Sequence, residues 1–362
     1  MNKLEELILK YCPEGVKRVK LGEVLDVNRG KRLTKSQLIN GGLYEVFHGS
    51  KDTPLGTYNE SNAPGDTIIV VNTGGIGGVK YCKDAFWCSD GSFWLGHSKK
   101  VNNKFIYYYI SQFENYFASQ KRLGGVPTID RSVVESLEIP LPPLSVQEEI
   151  VRMLDAMSEL QENLEKELEE RRKQFACYRD KLMTFNDLTT PPSQRIEWKQ
   201  LGEICKIIAP PAKLQTSEYL REGTYPVIDQ GKHLIVGYTN NECNTLPIGE
   251  YLLYGDHTCS VKYFNGQFAQ GADGLKILQP IAGLCKYLFY AVCTFNIKSS
   301  EYKRHWSEVK KISIPLPPLA VQKEITGKLD KMEELINNIE SELTERKKQY
   351  EYYREKLFLF AK

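Results

Sequence analysis

The segment Ile139-Pro140-Leu141-Pro142-Pro143-Leu144-Ser145-Val146-Gln147-Glu148-Glu149-Ile150 returns as Ile314-Pro315-Leu316-Pro317-Pro318-Leu319-Ala320-Val321-Gln322-Lys323-Glu324-Ile325, so the chain holds two copies of one plan. Identity continues through roughly 28 of about 47 paired positions, among them Leu154/Leu329, Asp155/Asp330, Leu168/Leu343 and Tyr178/Tyr353. A spacing of about 175 residues far exceeds the ~20–50 residues of a solenoid repeat, so the duplicated piece is a domain with a helix behind it. The segments between the copies match little. The constant parts are expected to share a task, and the variable parts to differ in theirs.

Behind each Pro-Pro pair, apolar residues recur in helical steps of three and four. The first copy has Ile150, Leu154, Met157, Leu160, Leu164, Leu168, Phe175, Tyr178, Leu182 and Phe185. The second has Ile325, Leu329, Met332, Leu335, Ile339, Leu343, Tyr350, Tyr353 and Leu357. Charged residues lie between, as in a coiled-coil seam. Leu154, Met157, Leu164, Leu168, Leu329, Met332, Ile339 and Leu343 are its candidate partner-helix residues. Proline is tolerated ahead of a helix but not inside one, so the Pro-Pro pairs set the starts. A helix over 145–185 would be about 60 Å long. The polar linker 186–194, reaching at most about 30 Å, favours a second helix running back along the first. The expected organisation is a variable unit at 1–143, a helix at 144–185, the linker, a second unit at 195–318 and a second helix at 319–362. In fold class this is α+β: two mixed α/β units separated by two long antiparallel coiled-coil helices with a pseudo-twofold internal repeat.

Within the variable units, short apolar runs flanked by Gly, Asn and Asp read as strands at 67–71, 78–81, 92–95, 251–254, 260–264 and 275–278. The segments 104–110 and 286–292 read as apolar helices packed on them. Faint echoes link the units: Leu21-Gly22-Glu23 with Leu201-Gly202-Glu203, and Val79-Lys80-Tyr81 with Val261-Lys262-Tyr263. With 362 residues, 41% of them hydrophobic, there is apolar material for two cores. No apolar run approaches the ~18 residues of a membrane span, and the start is not that of a secretory signal, so a cytoplasmic protein is expected. Nine cysteines without a C-x-x-C pair read as reduced thiols.

The net charge of +2 hides a division. Residues 1–143 and 195–318 each carry +3, whereas 144–194 carry −4 and 319–362 are neutral. Basic variable units suit a polyanion, and acidic or neutral helices suit protein. Enzymatic motifs are missing. The loop Asn72-Thr73-Gly74-Gly75-Ile76-Gly77-Gly78 lacks the Lys-Ser/Thr ending of a P-loop. The five histidines form no metal-ligand spacing, and no Pro-Pro pair precedes the aromatic residue that an adenine methyltransferase would need. No catalytic residue and no metal ligand is assigned. Groups fit to hold phosphates or read base edges are plentiful in the variable units. In the first they are Arg29, Lys31, Arg32, Asn72, Thr73, Lys80, Lys121 and Arg122. In the second they are Lys232, His257, Lys262, Gln270, Lys303 and Arg304.

Taken with the opening Leu4-Glu5-Glu6-Leu7-Ile8, the segment Tyr11-Cys12-Pro13-Glu14-Gly15, and the helix endings Tyr178-Arg179-Asp180-Lys181-Leu182 and Tyr353-Arg354-Glu355-Lys356-Leu357, these features resemble the specificity (S) subunits of type I restriction-modification systems over the whole length. The resemblance implies two target-recognition domains, each reading half of a split asymmetric sequence in double-stranded DNA. It implies helices that dock two methyltransferase (M) subunits, with restriction (R) subunits added in the full complex. S-adenosylmethionine, ATP and Mg would belong to those partners, with no cofactor in this chain. No base-contacting residue carries over, because that part of the family varies. The competing expectation is a coiled-coil scaffold or decoy that binds methyltransferase without reading DNA.

Overall fold

A computed structural model of the chain describes residues 3–122, 125–185, 196–295, 297 and 304–360; the expected linker and Lys303 lie outside them. The chain divides into two compact units, residues 1–164 with 342–362, and residues 165–341. Among the described residues, no helix is long and apolar enough to cross a membrane.

In the first unit, helix α1 (Lys3–Tyr11) precedes strand β1 (Arg18–Lys20). Strands β2 (Val27–Arg29), β3 (Tyr44–Phe47), β4 (Gly56–Tyr58), β5 (Thr67–Val71), β6 (Val79–Cys82), β7 (Trp87–Cys88) and β8 (Ser92–Leu95) follow, then helices α2 (Asn103–Ile110), α3 (Glu114–Ser119) and α4 (Arg131–Glu135), and strand β9 (Glu138–Pro140). They build a four-stranded sheet in the order β2-β8-β5-β6, a three-stranded sheet β4-β3-β7 and the pair β1-β9. Fully buried β5 runs through the middle, consistent with the apolar run 68–71 that follows its Thr67. Helix α2 starts where the Asn102 side chain accepts from the Lys104 and Phe105 amides, and it buries Phe105, Ile106, Tyr108 and Tyr109. Gly77 has φ +88°, and a Cβ there would lie 2.5 Å from the Glu114 carbonyl oxygen, so the β5–β6 loop can meet α3 only through glycine.

The second unit repeats the plan. It contains β10 (Glu197–Gln200), helix α6 (Leu201–Ile204), β11 (Cys205–Ile208), β12 (Tyr225–Ile228), β13 (Gly237–Thr239), β14 (Thr245–Gly255), β15 (Val261–Gln270), β16 (Leu275–Pro280), α7 (Cys285–Cys293), α8 (Trp306–Val309) and β17 (Ser313–Leu316). Its sheet order β11-β16-β14-β15 matches β2-β8-β5-β6, and the pair β10-β17 matches β1-β9. Here β12 and β13 join the main sheet, because β15 is long enough for Val227 and Ile228 to pair with Ala269 and Gln270.

The two long helices are α5 (Leu144–Leu182) and α9 (Leu319–Lys356), each beginning directly after a Pro-Pro pair. Residues 144–164 of α5 belong to the first unit and 165–182 to the second, while α9 is shared in the opposite sense. Within the first unit, the Gln161 side chain donates to the Arg346 carbonyl at 3.0 Å, and Leu154 shares a core with Tyr350, Leu357 and Phe358. Within the second, Arg172 pairs with Glu340, and Met183 shares a core with Ile325 and Leu329. The facing segments are therefore antiparallel within each unit.

Burial corrects the expected seam. Leu160 and Leu335 are exposed, and the buried series are Leu154, Met157, Gln161, Leu164, Leu168 and Leu329, Met332, Ile336, Ile339, Leu343, with both methionines and Gln161 half-buried. These are strict 3-4-3-4 heptads. A polar Gln161 at one seam position disguises the pattern in the first copy, and the apolar Leu335 beside Ile336 does so in the second.

The shared motif has a structural task of its own. Gln147, fully buried, accepts from the Asn102 amide at 2.8 Å and donates to the carbonyls of Pro142 (2.7 Å) and Lys100 (3.2 Å). Its counterpart Gln322 accepts from the Leu284 amide at 2.9 Å and donates to the Pro317 carbonyl at 2.8 Å. In each unit the motif glutamine ties the start of the long helix to the start of the helix packed on the sheet.

Candidate nucleic-acid interface

In the first unit the register of β2, β5 and β8 brings several connections to one end of the sheet. Arg29 lies opposite Phe93, and Val71 opposite Ser92. The segment after β2, the β5–β6 loop and the segment ahead of β8 therefore converge. The residues after β3 join them: the Gly75 amide donates to Gly49 O, and His48 Nδ1 lies 3.1 Å from Ser89 Oγ and 3.4 Å from Asp90. Arg122 and Thr128 close the cluster through bridges Thr73–Thr128 and Arg122–Thr128.

Of the sequence-predicted residues, Arg29, Lys31, Arg32 and Lys121 are exposed. Arg122 is also exposed but is paired with Asp130. Thr73 is half-buried against Thr128, its hydroxyl 3.2 Å from that of Thr128. Two of the predicted residues have different surroundings from those expected. Lys80 lies on β6 with its ammonium over the Phe47 ring at 4.8 Å. Asn72 is buried and donates towards Asp90 O at 3.4 Å. Glu114 neutralises Lys51 at 2.7 Å while accepting from the Val79 amide, fastening the glycine loop to α3.

The second unit gathers the corresponding connections. Thr258 donates through its hydroxyl to Gln230 O, the Gly271 amide donates to Ile228 O, and the Asp256 amide to Gly274 O. Lys232 stands exposed on the loop after β12. Lys262 does not reach solvent: it is buried, and its ammonium donates to the carbonyls of Asp229 (2.9 Å) and His233 (2.5 Å), bracing the loop that carries Lys232. Burial holds its pKa below the ordinary lysine value. Gln270 is buried at the end of β15, with its carbonyl accepting from Leu214. His257 is half-buried, its amide bonded to the Gln230 side chain. Exposed Arg304 lies close enough to Asp273 to lower its pKa, though the main cause is Lys213 at 2.6 Å. The sequence carried no signal for the His48 anchor, since a lone polar residue in a loop looks like any other until strands bring its neighbours close.

The seam residues Leu154, Leu164, Leu168, Leu329, Ile339 and Leu343 are buried, Leu154 and Leu329 within the cores of their own units. They form internal packing, and any partner must meet other faces of α5 and α9.

One strand order occurs twice, with unlike basic loops at the same end of each sheet. The family model for the type I restriction modification DNA specificity domain matches residues 13–171 and again 195–346. The chain belongs to this family. A protein of Mycoplasma pneumoniae described as a type I specificity subunit is 27% identical over 369 residues, covering 95% of this chain and 97% of the relative. The specificity subunit of the Escherichia coli type I restriction enzyme EcoR124I/EcoR124II is 29% identical over 302 residues, 72% of this chain and 71% of its own. The fold of the type I S subunit from M. genitalium matches with a TM-score of 0.69 at 20% identity, over 94% of this chain and 96% of that one.

Proposed function

We propose that this chain is the DNA-specificity subunit of a type I restriction-modification complex, a recognition protein and not itself the catalyst. The loop cluster of each unit reads one half of a bipartite, asymmetric target in double-stranded DNA. Helices α5 and α9 dock two methyltransferase subunits, with restriction subunits joining in the full complex. Methyl donor, ATP and magnesium bind to those partners. The observation that carries this reading is a sheet built twice in the same order while its end loops differ: Arg29, Lys31 and Arg32 in one unit, Lys232 and Arg304 in the other. Equal scaffolds with unequal side chains suit two unlike half-sites, because side chains on loops specify bases while a sheet only positions them. Two copies of one partner are favoured by the helices' outer surface. Leu160/Leu335, Lys173/Lys348, Gln174/Gln349 and Tyr178/Tyr353 occupy equivalent positions and are exposed in both copies.

The test is methylome sequencing of cells that contain the cognate methyltransferase, with and without this chain. A bipartite adenine motif that vanishes on deletion is the expected result. An unchanged methylome beside an active methyltransferase would instead mark a scaffold that does not read DNA.

A further inference from the structure

A second attachment between long helix and recognition sheet is also built twice. In the first unit Asp155 on α5 accepts from Lys104 Nζ at 2.8 Å and from the Tyr108 hydroxyl, both on α2. In the second, Asp330 on α9 accepts from Lys286 Nζ at 2.9 Å and from the Tyr290 hydroxyl at 2.8 Å, both on α7. Each lysine also lies over a tyrosine of the sheet, Lys104 at 5.5 Å from the Tyr81 ring and Lys286 at 5.4 Å from the Tyr263 ring. Tyr81, Lys104 and Tyr108 precede Tyr263, Lys286 and Tyr290 by the same interval, although the units around them share little sequence. Neither α2 nor α7 lies in the DNA-facing loops, so DNA contact does not account for the repetition.

The geometry has a mechanical meaning. Val146, Ile150 and Leu154 pack α5 into the core that holds α2, but apolar packing is non-directional, and the directional bonds of Gln147 at the start of α2 fix only one point. The Asp155 contact lies eight residues further along α5, about 12 Å at the helical rise, and it grips α2 from about half a turn to nearly two turns further on. Two separated attachments fix an angle where one fixes only a point. Gln322 and Asp330 do the same for α7. Burial, followed by the bond to aspartate, raises the pKa of both Tyr108 and Tyr290, so the hydroxyls remain donors.

We propose that Asp155 with Lys104 and Tyr108, and Asp330 with Lys286 and Tyr290, are positioning residues that hold each recognition unit at a set angle on its long helix and thereby fix the half-site spacing that is accepted. This rests on the specificity-subunit reading. Without the brace a unit rocks, and its loops meet half-sites displaced by a base pair.

The test uses the full chain assembled with its methyltransferase subunits and the bipartite target found by methylome sequencing. Binding is measured on duplexes with the native gap and with one base pair added or removed. Asp155→Asn and Tyr108→Phe each lower the native-to-shifted affinity ratio about threefold to tenfold, the scale of a partly exposed charge pair with one added hydrogen bond. Asp330→Asn has a smaller effect, because Glu333 also accepts from Tyr290 at 2.9 Å, and Asp330→Asn with Glu333→Gln restores the full loss. The charge exchange Lys104→Asp with Asp155→Lys recovers selectivity that either single reversal removes. Tyr108→Phe deletes only a hydroxyl and keeps the fold if Asp155→Asn does not. Unchanged ratios in all these variants, on a target that the wild-type complex methylates, would overturn the brace alone. Absence of any bipartite target would overturn the specificity reading beneath it.

Discussion

Gln147→Ala is the sharpest perturbation of the duplicated motif. The side chain is fully buried and makes three hydrogen bonds to main-chain groups, one accepted and two donated. Alanine leaves the Asn102 amide and the carbonyls of Lys100 and Pro142 without this partner, besides opening a cavity. At ~1–3 kcal/mol for each buried group stranded, moderated by water that enters the gap, the expected loss is about 3 kcal/mol. Gln147→Met keeps the volume and loses the bonds, so about 2 kcal/mol should remain. Gln322→Ala, with two such bonds, should cost about 2 kcal/mol in its own unit. Because a chain of two units need not unfold in one step, the assay is hydrogen exchange read peptide by peptide. Gln147→Ala should release α2 and the start of α5 and spare α7, while Gln322→Ala does the reverse. If the Asn102 amide kept its wild-type protection in Gln147→Ala, the glutamine would be a bystander and the account of the motif would be wrong.

Other consequences are more local. Lys31→Ala with Arg32→Ala should weaken DNA binding by the whole complex and reduce the salt dependence of log K by about 0.9 for each phosphate that is no longer neutralised; an unchanged slope would remove these residues from the interface. Glu149 is almost fully buried, and its bonds to Arg152 and to Lys3 of α1 hold its pKa at about 2. A depressed carboxylate pKa stabilises the fold above the unfolded value of ~4.3 and loses that contribution as pH falls towards the folded value. Protection of α1 should therefore fade between about pH 5 and pH 2, and Glu149→Gln should abolish that acid step. At neutral pH a thiol reagent should modify exposed Cys177 and Cys243 first, whereas Cys82, Cys205 and Cys285, raised by burial to about 12, should react only after unfolding. Rapid labelling of Cys205 in folded protein would contradict the core assignment.

The sequence revealed most where one period governs a long stretch. Both long helices were readable from apolar residues in steps of three and four and from their proline starts, and β5, β6 and β8 from apolar runs. Strands β14 and β15 run far beyond the four or five residues expected, because a register shift between Leu246 and Gly249 accommodates Pro247 and the glycines that read as strand ends. The three-residue pairing of β1 with β9 joins segments more than a hundred residues apart, and no local pattern announces it. For the interface, basic composition indicated the loops but not side-chain direction. Lys262 looks like Lys31 in a sequence, yet β15 turns Lys262 inward beneath a loop, whereas Lys31 stands in solvent on the segment after β2. The Lys-Tyr-Asp braces were equally hidden, since each aspartate lies 40 or more residues from its tyrosine and each member is ordinary alone.

Phe358 lies in the core of the first unit, its ring 5.2 Å from Phe105 and 5.3 Å from Tyr109. A ribosome building this chain has all of the first sheet outside the exit tunnel long before residue 358 is made. The first unit to be synthesised is thus the last to be completed, and until then it exposes an aromatic gap beside α2. A stop codon shortly after residue 341 would lie far along the chain from most of the unit it injures, and the DNA half-site read by that earlier unit would be the one lost.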